Sequence, residues 1–206
     1  MKKIALFGEY RENADHPFEP VSETFHDLLD GLADVSYIAD YRKPIDLESF
    51  DLLILYNDTW EEPLKPDMLE KILCFAASGK TIMAIHCGIF YLQANHELLP
   101  LTAGRFYHHP PRCTLRYLVA EEEAPDAERV SFSLFEEPYL FHFSDAVPRQ
   151  VFMVAEYQGA FLPQAWKTVY GKGQFVYLAP GHDKNSFCDP VYRAVLQKCV
   201  RETLES

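Results

Sequence analysis

The sequence predicts an α/β protein: one domain over residues 1–206, built on a doubly wound, mostly parallel sheet with additional antiparallel strands in its C-terminal half. Three observations carry this expectation. Short apolar runs alternate with helical patterns through the first hundred residues, as β-α-β units require. The later apolar runs lack full helices between them and end in a hairpin signal. A chain of 206 residues, 48% of them hydrophobic, suffices for one substantial core, and no linker divides it.

The elements follow in order. "KKIALFGEY" reads as the first strand, and "RENADHPFEP" after it, with two prolines, as a loop. "SETFHDLLDGL" has a serine start and leucines at helical spacing, which predicts the first helix. "DVSYIA" and "DLLILYN" are short strands. "KPDMLEKILCFAASGK" is a helix with proline near its start and a glycine stop. "TIMAIH" is the next strand, and "CGIFYLQANHE" is read as the helix leaving it. "CTLRYLVA", "RVSFSLF" and "QVFMVAEY" are further strands, and "QAWKTVYGKGQFVYLAPG" is two strands about a "GKG" turn. "DPVYRAVLQKCVRETLE" closes the chain as an amphipathic helix capped by Asp189, with Pro190 in its first turn.

Composition excludes several roles. The formal charge of -12, from 31 acidic against 19 basic residues, argues against a nucleic-acid surface, which needs a concentrated basic footprint. An anionic substrate would need a local basic pocket, for which Arg11, Arg105 and Arg112 are the reserves. The opening "MKKIALFGEY" stays apolar too briefly for a signal peptide, and no apolar run reaches membrane-helix length, so no membrane partner and a cytoplasmic location are expected. Five cysteines without paired spacing argue against a disulfide framework and a thiolate zinc site. "EEEAPDAE", residues 121–128, reads as a solvated loop. The high apolar and aromatic content leaves a homo-oligomer open.

Candidate chemistry concentrates at strand ends. "TIMAIHCGIF" sets His86 and Cys87 side by side where a buried run meets Gly88, the profile of a strand turning sharply into a helix. Their side chains should diverge: His86 can act as base, ligand or hydrogen-bond donor, Cys87 as a nucleophile only with a nearby base, and the plainer alternative is a packed thiol beside a satisfied histidine. "GRFYHHPP" holds His108 and His109 on a stiff loop, and "FEEPYLFHF" places Glu136 and Glu137 in apolar surroundings that tune a carboxylate for acid-base work. "LAPGHDKNSF" repeats strand, glycine and histidine at His182. Loops at strand ends converge in open α/β sheets, so His16, His86, His109 and His182 are expected to meet Glu137 in one cleft.

At these same residues the chain resembles the ThuA-like family, named for trehalose utilisation, within the class I glutamine amidotransferase-like, flavodoxin-like fold. The likeness runs over nearly the whole chain, through "ADHPFEP", "MAIHCG", "GRFYHHP", "EEPY" and "QAWKTVYGKGQFVYLAPGHD". Amidotransferase-like folds carry the nucleophilic cysteine at the elbow apex, G-x-C-x-G. Here the apex falls on His86 and Cys87 comes one position late, so the resemblance implies no glutamine hydrolysis. It also departs from the family at "LPQAW", where Leu162 replaces a common histidine whose role His142 is the candidate to supply.

The resemblance implies a role in sugar metabolism, with action on keto-disaccharides or other oxidised sugars and a metal suspected in some relatives. The expected catalytic groups are His86, Glu137, His182 and His109; the expected substrate contacts are His16, Arg105, Tyr107, Tyr139, Trp166 and Cys87, the aromatics stacking on a sugar face. A divalent ion such as zinc, nickel, manganese or iron would sit on His86, His109 and His182, although histidines sharing protons with Glu137 need no ion. Two rivals stand beside this enzyme: a non-catalytic binder of a sugar or metabolite, and a Cys87-dependent hydrolase or amidotransferase.

Overall fold

The apolar runs fold into strands whose ends define the site. The computed structural model describes residues 1–11, 14–39, 43, 45–59, 63–120 and 130–205; the predicted loop 121–128 lies outside the described residues. In chain order the elements are β1 (Lys3–Gly8), α1 (Glu19–Leu29), β2 (Asp34–Ile38), β3 (Leu52–Tyr56), α2 (Pro66–Ala77), β4 (Thr81–Ile85), α3 (Phe90–Gln93), α4 (Leu99–Thr102), β5 (Gly104–His108), β6 (Cys113–Val119), β7 (Val130–Glu136), β8 (Leu140–Phe143), β9 (Gln150–Tyr157), β10 (Ala160–Tyr170), β11 (Gly173–Leu178), α5 (Lys184–Cys188) and α6 (Pro190–Glu205).

Nine strands form one mixed sheet in the order β2-β1-β3-β4-β11-β10-β9-β6-β7. The pairs from β2 to β11 are parallel, and those from β11 to β7 antiparallel. Strands β3 and β4 are buried at every position, which explains their unbroken apolar sequence: covered on both faces, they have no polar side to show. The outer strands β6 and β7 instead alternate buried and exposed residues, with one face wet. Strands β5 and β8 pair separately as a two-stranded sheet. The chain runs from β1 outward to β2, then back past β1 to β3 and β4, so the sheet's switch point lies between β1 and β3.

Three segments differ from the sequence reading: "GRFYHHPP", read as a stiff loop, is strand β5 as far as His108, paired with β8, and two helices differ as well. Helix α1 begins at Glu19, three residues before the expected Ser22, because Pro20 has the fixed φ a first turn needs; Ser22 Oγ donates to the Glu19 carbonyl inside the helix. "CGIFYLQANHE" is not one helix but a chain of short turns: 3₁₀ from His86 to Ile89, then α3, 3₁₀ from His96 to Leu98, and α4. Residues 81–92 are buried without exception, so this segment has no wet face for an amphipathic helix. Asn95 interrupts it further, its side-chain carbonyl accepting from the Leu64 N–H at 2.8 Å. Among the described residues no helix is long and apolar enough to cross a membrane.

Candidate functional site

The parallel half brings its chemistry to the C-terminal ends of four neighbouring strands. His16 follows β1, Asp58 follows β3, His86 follows β4 and His182 follows β11. His86 is the apex of the turn out of β4, in the left-handed region at φ 49°, a costly conformation for a side-chain residue. The turn is fixed by close packing behind it: a Cβ on Gly88 would lie 2.0 Å from the Leu55 carbonyl oxygen. The antiparallel half sends in Glu137 and Tyr139 from the β7–β8 connection and His109 from the end of β5.

Four of these side chains point at a common volume. His16 Nε2 lies 3.0 Å from His86 Nε2 and 3.2 Å from His182 Nδ1. Glu137 Oε2 lies 3.4 Å from His86 Nε2, 3.3 Å from His182 Nδ1 and 3.9 Å from His16 Nε2. His86 is fully buried and Glu137 only 9% exposed, so solvent reaches the cluster past the partly exposed His182 and His109.

The protons can be placed from the partners. His86 Nδ1 is 2.7 Å from the Ala179 carbonyl oxygen, a contact favourable only as N–H donation, which leaves a lone pair on Nε2. His16 turns Nδ1 towards Asp58 Oδ2 at 3.4 Å and Nε2 into the cluster. Burial works against a charged His16, but the carboxylates of Asp58 and Glu137 overcome it and raise its pKa to about 9. Burial, then the neighbouring His16, lowers that of His86. Burial opposes ionisation of Glu137, yet the His16, His182 and His86 rings facing it hold its carboxyl well below the usual carboxylate range.

This donor set fits a divalent ion. Ligands on a tetrahedral ion bound at ordinary nitrogen and oxygen distances stand about 3.4 Å apart, close to most separations in the cluster. Glu137 Oε2 is buried without a hydrogen-bond partner, His86 anchors its second nitrogen on the Ala179 carbonyl, and His16 turns its own towards Asp58, as metal-ligating histidines are held. The four ligand atoms all lie within 4.8 Å of one another. Without an ion, the proton raised on His16 relieves the same repulsion. The set is His16, His86, His182 and Glu137, not the predicted His86, His109 and His182: His109 stands at the rim, its Nδ1 3.6 Å from Glu137 Oε1.

Several predicted substrate contacts are placed elsewhere. Trp166 is completely buried, its indole N–H donating to the Thr102 carbonyl and its faces covered by Phe141, Phe143 and Tyr177, so it has no surface for a sugar. Tyr139 is also buried: it stacks on the His86 ring at 4.5 Å and brings its hydroxyl 3.0 Å from His86 Nε2, so it orients His86 instead of stacking on substrate. Cys87 is fully buried, and burial, reinforced by Asp58, pushes its thiol well above the usual value, which removes the thiolate a nucleophile needs. Arg105 contacts His96, while exposed Tyr107 stacks on His142. His142 therefore does not join the cluster in place of a histidine at Leu162.

Of three further neighbours of the cluster, Asp58 and Gln164 carry no sequence signal strong enough to single them out, while the sequence marks Glu136 only beside Glu137, without a separate role. Asp58 accepts from the Asp15 and His16 backbone N–H groups and faces the His16 ring. Gln164, inside "LPQAW", sits where the β9–β10 register shifts and donates to the Tyr139 carbonyl at 2.8 Å. Glu136 is buried between β7 and the His182 loop.

Comparison with known proteins agrees with this fold. In the solved structure of a ThuA-like protein from Parabacteroides merdae, 13% identical, the same fold superposes with a TM-score of 0.78 over 99% of this chain and 90% of that one. A ThuA-like protein from Bacteroides uniformis, 17% identical, gives 0.70 over 99% and 90%. The β-galactosidase of Rahnella sp. R3, 15% identical, gives 0.65 over 97% of this chain but only 32% of its own. No curated protein matches the chain in sequence. Residues 6–201 match the family described as ThuA, trehalose utilisation, and that match, spanning every strand end that contributes to the cluster, shows that the chain belongs to the ThuA family.

Proposed function

We propose that this protein is an enzyme of carbohydrate metabolism that moves a proton beside the carbonyl of an oxidised sugar, with a divalent ion held by His16, His86, His182 and Glu137. The observation that carries the reading is the convergence of three imidazole nitrogens on the partnerless Glu137 Oε2 in a buried volume. Family membership supports the substrate class. The ion, when bound, supplies Lewis acidity towards a carbonyl oxygen.

The chain's own residues supply the remainder. His109 Nδ1 lies 3.1 Å from the Pro110 carbonyl oxygen and carries its proton there, so Nε2 bears the lone pair of a general base. Standing at the mouth, it can take a proton from a carbon that a neighbouring carbonyl has acidified. That step leads to isomerisation, epimerisation or elimination of a glycosidic bond. The Ala179 carbonyl fixes the His86 tautomer and the stacked Tyr139 ring fixes its orientation; the Tyr139 hydroxyl, which donates to Nε2 without an ion, would give up that lone pair to a bound ion.

Untagged protein loaded with zinc, manganese, nickel or iron should be incubated with a panel of oxidised mono- and disaccharides, and products followed by mass spectrometry. Turnover that falls at least about tenfold in His86→Ala is expected. Equal wild-type and variant rates across the panel, or calorimetric binding with no product, would sink the enzymatic reading.

A further inference from the structure

Glu136 precedes the proposed ligand Glu137 yet faces away from the cluster into the protein. It is 1% exposed, and each of its hydrogen-bond donors is neutral. Oε1 accepts from the Gly181 N–H at 2.8 Å, the His182 N–H at 3.0 Å and the Ser186 hydroxyl. Oε2 accepts from the Glu137 N–H at 3.3 Å. A buried carboxylate without a cation beside it is expensive unless its hydrogen bonds do something that cheaper residues cannot.

What they do is visible in the backbone. Gly181 takes φ 144°, which turns two successive N–H groups towards one oxygen. A single carboxylate thus spans from the end of β7 to the loop after β11, joining the strand that carries Glu137 to the loop that carries His182. His182 is the most exposed of the four ligand-set side chains.

We infer that Glu136 is a positioning residue: it sets His182 Nδ1 in register with Glu137 and thereby tunes the affinity of the cluster for a divalent ion. This rests on the ion-binding reading above. Because reach holds the loop, Glu136→Gln should be milder than Glu136→Asp, which keeps the charge but is one methylene short.

The test is a double-mutant cycle with zinc, affinity being read by competition with a chromophoric chelator. Glu136→Gln should weaken zinc about tenfold or more, the usual cost of losing a partner outside the ligand set. In a His182→Ala background the same change should cost less than about twofold, the coupling expected when one residue acts through the other. Equal losses in both backgrounds, or a Glu136→Asp protein that binds better than Glu136→Gln, overturn the inference. Should Glu136→Gln fail to fold, Glu136→Asp takes its place in the cycle. Histidine-ring NMR of metal-free protein separates this inference from the reading beneath it. If wild type holds no zinc, the ion-binding reading fails, while a His182 ring signal displaced by Glu136→Gln still supports positioning and an unchanged one overturns it.

Discussion

The two halves of the molecule build the same cluster by different means. On the parallel side, His16, His86 and His182 follow the ends of parallel strands of one sheet, and backbone packing fixes the elbow. On the antiparallel side, Glu137, Tyr139 and His109 sit on connections, held by side chains: Gln164 on the Tyr139 carbonyl, Glu136 on the Glu137 N–H. The first half places its groups through topology, the second through individual hydrogen bonds. Backbone changes should therefore be ruinous on the parallel side and mild on the other.

The sharpest break of that contrast is a pair of glycine substitutions. Gly88→Ala would put its Cβ 2.0 Å from the Leu55 carbonyl oxygen, backbone that cannot yield without moving β3, and should cost on the order of 4 kcal/mol. Gly159→Ala, in the β9–β10 turn at φ 79° with nothing within 4 Å of its Cβ, should cost about 1 kcal/mol from backbone strain alone. Chemical denaturation of both variants measures the gap; comparable losses would show the elbow to be no stiffer than an outer turn.

A second test uses protons. In the metal-free protein the pKa of His16 is raised from 6.5 to about 9, so its contribution is complete below pH 6.5 and disappears as pH rises through 9. At 1.36 kcal/mol per unit this is about 3 kcal/mol. His86, shifted the other way, costs stability below pH 6.5, where the unfolded chain takes up a proton that the buried ring resists. Metal-free protein should thus be most stable near pH 6.5. Saturating zinc should reverse the alkaline limb, because an ion displaces the His16 proton and binds better as protons become scarce. Denaturant midpoints measured from pH 5 to 9 with zinc and with chelator give the answer, and parallel curves would remove the ion from these nitrogens.

The same contrast explains what the sequence discloses. Unbroken apolar runs reveal β1, β3, β4 and β11, and the strand-end rule then picks out His16, His86 and His182 without coordinates. It does not separate Glu136 from Glu137: successive residues at a strand end face opposite ways, and which faces the cluster depends on where β8 and β11 lie. Nor does it tell a sugar-stacking aromatic from a core one, since Trp166 in a β-strand reads alike in either role. The helix expected after His86 fails because its polar residues do not form a stripe, and Asp58 stays hidden because a short "YND" stretch reads as an ordinary turn. Topological placement leaves a pattern in the chain, whereas tethering by single side chains leaves almost none.

The finest distinction is between an ion-holding and a proton-moving histidine, one from each half. His86 is fully buried and aims Nε2 into the cluster, so His86→Ala removes a ligand and leaves a cavity where the ring stacked on Tyr139. Zinc affinity should fall by more than about 100-fold, beyond what loss of an outer partner costs, and turnover should fall with it. His109 is partly exposed and reaches the cluster only through a 3.6 Å approach to Glu137 Oε1, so His109→Ala should leave zinc affinity within about threefold, the modest worth of an exposed pair. Its turnover should nevertheless drop about 100-fold with KM little changed, as for the loss of a general base. Zinc titration beside steady-state kinetics on both variants separates the roles. If His109→Ala sheds zinc as His86→Ala does, the rim histidine belongs to the ligand set and the division of labour between the halves is wrong.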